Sequence, residues 1–206
     1  METGTDRRLR LTALLLAAAA IGGCASSATV PEDRYYRLPP VQPGETLRQP
    51  LIRGTLAVAA YDSAAVFRDR AFAYVKAPRP HELRHYHFDH WADDPPTLLQ
   101  HHLVDYLRAA NLARQVVTDG ASLDWNYLLK GHLKRFERAE KGGGAEAMVE
   151  ITFALERFES RTPVLVKTYR AAEPIRGDDI YTSVDAFAAA LDDIYARLLA
   201  DIRAGL

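Results

Sequence analysis

With 26 Lys and Arg against 27 Asp and Glu, this 206-residue chain has a formal net charge of −1. That leaves no basic surface of the size that nucleic acid requires. Its 48% hydrophobic content is enough for a sizeable core, and its length suits about one domain. The lone cysteine excludes a disulfide framework and a cysteine-based metal site.

The chain begins with a leader. Arg7, Arg8 and Arg10 form a basic segment, Leu11–Ile21 is apolar, and Gly22-Gly23 leads into Cys24. As a helix the apolar run would reach only about 16 Å, roughly half the hydrocarbon thickness of a bilayer, so it is too short to remain as a span. Ile21-Gly22-Gly23-Cys24 is similar to a bacterial lipobox, in which the cysteine takes a diacylglyceryl thioether and becomes the first residue after cleavage. Several acyl chains hold a protein on a membrane far more firmly than one. Residues 1–23 are therefore read as a lipoprotein signal peptide, Cys24 as the lipidation site and residues 24–33 as a flexible tether. Ala25 after the cysteine, by resemblance to the sorting rule of enterobacterial lipoproteins, implies an outer-membrane anchor facing the periplasm. No second apolar run is long enough to span a membrane.

The folded part is expected over residues 34–206. Arg34–Leu38 reads as a short strand closed by Pro39-Pro40, and Gly54–Tyr61 as an apolar strand. Asp62–Asp69 reads as a loop and Arg70–Lys76 as a strand, broken by Pro78 and Pro80. Leu83–Trp91 alternates, with Tyr86 and Phe88 on one face and His85, His87 and Asp89 on the other. Asp94-Pro95-Pro96 opens a helix to about Asn111 that buries Leu98, Leu99, Leu103, Tyr106, Leu107 and Ala110. After a brief strand at Ala113–Val117, Trp125–Arg138 and Glu146–Glu159 form a hairpin across Lys141-Gly-Gly-Gly144, with Thr162–Arg170 as its third strand. Along the first, Tyr127, Leu129, Gly131, Leu133 and Arg135 are expected on one face. Ser183 is read as the cap of a closing helix to about Ala204, with Val184, Phe187, Leu191, Ile194, Tyr195, Leu198 and Ile202 as its stripe. The fold class that results is α/β: a single domain with a mixed, largely antiparallel sheet packed by two main helices.

Six of the seven histidines lie within residues 81–102, and His81-Glu-Leu-Arg-His85 has the form H-E-x-x-H. In zinc peptidases that spacing works because residues four apart share a helical face. On a strand His81 and His85 stand about 13 Å apart, beyond the reach of one metal ion. His85 and His87, neighbours on one strand face, form a weaker metal alternative. No nucleophile elbow occurs, Gly142-Gly-Gly144 lacks the lysine of a phosphate loop, and the adjacent pair Asp178-Asp179 makes a poor acid/base couple. No catalytic residue and no cofactor are expected.

The order of landmarks points further. A lipobox, Tyr35-Tyr-Arg-Leu38, a Leu-Ala-Val strand, Arg68-Asp-Arg70 leading to Ala73-Tyr74, Trp91-Ala, Pro95-Pro96 and Leu98-Leu99 follow one another. In this the chain resembles the ABC-type transport auxiliary lipoprotein family, the group that includes paraquat-inducible accessory lipoproteins. The resemblance covers roughly Arg34 to Leu206; the histidine-rich segment departs from it. It implies a non-enzymatic periplasmic subunit of an MCE-type ABC system that moves lipid or other hydrophobic compounds. The implied partners are an MCE-domain protein and the membrane, through Cys24, with room for a homo-oligomer. Tyr35, Tyr36, Arg37, Arg68 and Arg70 are the candidate contacts, while Trp91 and Leu98 are assigned to the core. A lipid-anchored zinc peptidase using His81, Glu82 and His85, and a lipid-binding carrier domain, are the alternatives.

Overall fold

The hairpin that the sequence predicts around its three glycines is the centre of the molecule. The computed structural model describes residues 31–120, 125–160 and 162–206; the leader, Cys24 and residues 24–30 of the tether lie outside them. In chain order the elements are β1 (Arg34–Tyr36), β2 (Ile52–Val58), β3 (Asp62–Ser63), a 3-10 turn at Ala65–Phe67, β4 (Ala71–Lys76) and β5 (Arg79–Trp91). After them come α1 (Pro95–Ala109), β6 (Ala113–Thr118), β7 (Tyr127–Lys141), β8 (Gly144–Arg157), β9 (Pro163–Ile175) and α2 (Ile180–Gly205). The nine strands form one mixed sheet curled as a half-barrel.

β7 and β8 pair antiparallel from Tyr127↔Arg157 to Lys141↔Gly144, and β8 pairs with β9 in the same sense. The connecting turn needs a left-handed residue, which Gly143 supplies at φ 105°. The other edge of β7 is divided among three parallel partners. Leu56–Val58 of β2 lie beside Tyr127–Leu129, β3 beside His132–Leu133, and Tyr74–Lys76 of β4 beside Arg138–Glu140. β6 flanks β2, while β5 flanks β4 and carries β1 on its far side. Five of the strand pairs are parallel, yet the antiparallel ladders carry most of the paired residues.

α1 starts where Asp94 accepts from Thr97 N at 3.1 Å, with Pro95 and Pro96 in the first turn. It ends in a Schellman turn. Asn111 is left-handed at φ 56°, its N–H reaches Arg108 O, and Leu112 N–H reaches Leu107 O, which sends the chain straight into β6. α2 packs on β8 and β9, and one core joins its stripe to Leu56, Phe72, Trp91, Leu103, Phe136, Ile151 and Phe153. Every predicted stripe residue of α2 is buried. Of the predicted set in α1 only Leu98 is half-exposed.

Four local expectations need correction. Ser183 does not cap α2: Asp179 does, accepting from Tyr181 N at 3.1 Å, and Ser183 is fully buried one turn inside. Arg135 does not share the face of Leu133. The register slips between them, so Phe136 and Arg138 take over the inner face. Pro80 does not break a strand, because it stands near the start of β5, where β4 is the only partner among the described residues. The loop at residues 62–69 contains β3 and the 3-10 turn.

Candidate docking edge

β1 is three residues long, lies parallel to Asp89–Trp91 of β5, and forms one border of the sheet. So short a strand gains little from ladder hydrogen bonds, and a side-chain clamp holds it. Asp89 is 5% exposed; its Oδ1 accepts from Tyr36 Oη at 2.9 Å and its carboxylate pairs with Arg34 at 2.9 Å. Burial, together with the bond to the Asp89 carboxylate, pushes the Tyr36 hydroxyl up to about 12. The inner side of the Tyr36 ring meets Phe72 edge-on at 5.4 Å.

The outward side of the same strand is aromatic and cationic. Tyr35, 55% exposed, stacks on His90 at 5.4 Å, and the Arg70 guanidinium stands 5.5 Å from the centre of its ring. Arg70 Nη1 also donates to Ala92 O at 3.2 Å, which fixes it between two strands. Phe88, 40% exposed, lies nearby in sequence on β5. Tyr35, Tyr36 and Arg70 are thus brought together. Arg68 is not part of the group; it donates to Ser63 O at 3.3 Å near β3. Arg37 is exposed just beyond the strand.

The histidine-rich segment is a strand, not a helix, so His81 and His85 share no helical face. His85 Nε2 lies 3.2 Å from Val66 O, His87 is exposed, and His81 lines a separate depression with Phe67, Leu83 and Glu137. Glu82 is held by Arg79 at 3.0 Å and by Arg84, which keep its carboxyl below the usual range. It therefore stands as an ion-paired carboxylate rather than a poised base. Among the described residues no three His, Cys, Asp or Glu side chains converge as metal ligands would.

No local pattern marks Asp89 as a buried clamp. Alternation placed it with His85 and His87 on a polar face, but β5 bulges between its pairing positions: Ala73 faces His85 while Ala71 faces His90. The bulge lets Asp89 and Trp91 turn inward and leaves Phe88 outside. Arg34, Asp89 and Tyr86 also border a polar cleft of about 560 Å³, which reaches the start of α2 and the turn end of the β7–β8 hairpin.

A family model described as ABC-type transport auxiliary lipoprotein component matches residues 74–203. A Xanthomonas campestris protein assigned to the DUF330 family model is similar in fold, with a TM-score of 0.72 at 22% identity over 81% of this chain and 92% of that one. An uncharacterised protein aligns with a TM-score of 0.65 at 14% identity, over 83% of this chain and 99% of its own. A search of the curated proteins finds no match.

Proposed function

Since this chain belongs to the family of ABC-type transport auxiliary lipoprotein components, we propose that its folded domain is a non-catalytic adaptor between the outer membrane and an MCE-domain protein of the transporter. Membership makes it an auxiliary part of an ABC-type system, with a transporter as its partner. In this reading the acylated Cys24 anchors the chain in the outer membrane, the domain faces the periplasm, and the cargo is lipid or another hydrophobic compound. Energy comes from an ATPase elsewhere in the system. Copies of the chain could surround the partner as a homo-oligomer.

The observation that supports it best is the exposed Tyr35–His90–Arg70 stack on a clamped border strand. Aromatic rings and arginine are the groups that carry most interface energy, and here they are fixed before a partner arrives. Arg37 and Phe88 extend the same region in sequence, while Arg68 lies apart from it. Capture of the MCE-domain protein from solubilised envelopes tests the reading. Wild type is expected to retain it, Tyr35→Ala/Arg70→Ala to lose most of it, and Cys24→Ala to leave the outer-membrane fraction. Undiminished capture by the double variant would remove the docking assignment, and an unshifted Cys24→Ala protein would remove the anchor.

A further inference from the structure

The sheet has borders at β9, at β6 and on the β1–β5 side. The first two are already guarded. α2 packs on β9, its Arg197 donates to Arg170 O at 2.7 Å, and Pro163 and Pro174 stand near the two ends of that strand. α1 packs on β6, and its Arg108 donates to Val116 O at 2.8 Å. The β5 side is different. β1 covers only Asp89–Trp91, so on that side Arg79–Phe88 pair with no strand among the described residues. Between Arg79 and Arg84, β5 also carries four residues against the single Val75 of β4, so the strand bows there. Its side chains are exposed at Arg79, His81, Arg84, His87 and Phe88, and half-buried between them.

The stretch His81-Glu82-Leu83-Arg84-His85 lies in this open length, and its charges are self-complementary about Leu83. Two edge strands joined across a two-fold axis normal to the sheet run antiparallel, so each residue faces its counterpart across the centre. With Leu83 at the centre, Glu82 faces Arg84 of the second copy and Arg84 faces its Glu82. Moving the centre by one residue sets Arg84 against Arg84 or Glu82 against Glu82, which like charges oppose. Pro80 falls opposite Tyr86, in the same class of pair as Glu82 and Arg84. Proline has no N–H to give, so that class is the non-hydrogen-bonded one, in which facing side chains come closest. Phe88, 40% exposed, falls opposite the exposed Pro78 of the second copy. Within one chain Glu82 already accepts from Arg79 at 3.0 Å and from Arg84, so pairing closes a ring of alternating charge. We propose that β5 pairs antiparallel with β5 of a second copy of this chain, centred on Leu83, and so joins two sheets across a two-fold axis. The inference rests on the open length of β5 alone. The Tyr35–Arg70 stack lies beyond the paired residues, so the docking assignment stands or falls separately.

Sedimentation equilibrium of the full-length protein in nonionic detergent tests it. Wild type is expected to be a dimer, and Glu82→Arg and Arg84→Glu are each expected to weaken it about tenfold or more. Both changes in one chain restore the alternation, so the double variant is expected to dimerise again. An equimolar mixture of the two single variants is expected to form the mixed pair, because each then supplies the sign the other lacks. A second measurement leaves these charges alone. Leu83 is the residue that meets itself, at a Cα spacing a disulfide can bridge, so Leu83→Cys is expected to cross-link two chains on mild oxidation. His85→Cys, which faces residue 81 of the second copy, is expected to cross-link no more than wild type. A monomeric wild type, an assembly that ignores both reversals, a double variant that stays monomeric, or cross-linking at 85 as readily as at 83 would overturn the inference.

Discussion

The two edges of β7 are built in opposite ways. Toward β8 it makes one antiparallel ladder from end to end, closed by a glycine turn and extended by β9. Toward its other neighbours it is shared by β2, β3 and β4, each touching two or three residues and all coming from the stretch Ile52–Lys76, far from β7 in the chain. A ladder formed by adjacent segments needs little loop-closure entropy, whereas three short parallel contacts give few backbone bonds for long returns. The divided side must therefore be held by side chains. It is also the side that carries the docking edge and, with the hairpin turn, the polar cleft. The continuous ladder is the scaffold, and the parcelled edge presents the surface.

The strongest way to break that division is at Trp91. Its ring lies 3.9 Å from Phe72 of β4, 5.1 Å from Phe136 of β7 and 5.5 Å from Phe187 of α2, and it is 1% exposed. Trp91→Ala is expected to cost about 3–5 kcal/mol, measured by urea unfolding, because one cavity opens onto three elements. Native-state hydrogen exchange should then show β1, β4 and β5 losing protection before β7 and β8. Equal loss on both edges would mean that the two sides are one cooperative unit.

Gly131 sharpens the comparison at smaller cost. On β7 it pairs with Phe153 of the ladder, and a Cβ there would stand 2.8 Å from the Tyr61 ring, which comes from the β2–β3 connection. Tyr61 is 5% exposed and meets Phe153 edge-on at 5.8 Å, so it has little room to retreat. Gly131→Ala is expected to destabilise by about 1–3 kcal/mol in thermal or urea unfolding while β7–β8 amides stay protected. A neutral effect would show that the ring on the divided edge is loosely held.

This contrast also explains what could be read from the sequence. The hairpin, its turn and the α2 stripe were legible because their cues are local: period-two runs, adjacent glycines, and apolar residues every three or four positions. The Asp94 cap was legible for the same reason. The misread features depend on distant partners. The slip after Leu133 moves Phe136 and Arg138 inward without any change in composition, and the bulge in β5 hides Asp89 among histidines. The start of α2 carries a local mark, since Gly177, with φ 109°, precedes Asp178-Asp179, of which Asp179 is the cap. Of the docking edge, Tyr35, Tyr36 and Arg70 were named by resemblance. Their grouping, and the separation of Arg68, needed the parallel seating of β1 on β5.

The smallest expected effect concerns how the irregular chain after β1 is held to α1. His102 Nε2 lies 3.2 Å from Pro39 O, its ring stands 5.8 Å from that of Tyr195, and its Nδ1 is buried with no partner among the described residues. A neutral ring can donate to Pro39 from Nε2 and leave Nδ1 bare; a charged one would bury an unmatched N–H. Burial therefore holds the imidazole below its ordinary value, against the weaker opposing pull of the Pro39 carbonyl and of Asp105. The unfolded chain then takes up a proton that the folded one refuses. The stability tied to this group is complete above about pH 6.5 and drains away as pH falls from there toward the folded value, at about 1.4 kcal/mol per unit of depression. Burial shifts Glu137 and Asp192 the other way, raising both, so their contributions oppose this one and must be subtracted. His102→Gln keeps a donor for Pro39 but cannot titrate. Urea unfolding of wild type and variant from pH 7.5 to 5 is therefore expected to give curves that separate below pH 6.5, with wild type falling faster. Parallel curves would show that the ring takes up its proton equally in the folded and unfolded chain, so that burial of a neutral histidine does not hold the segment after β1.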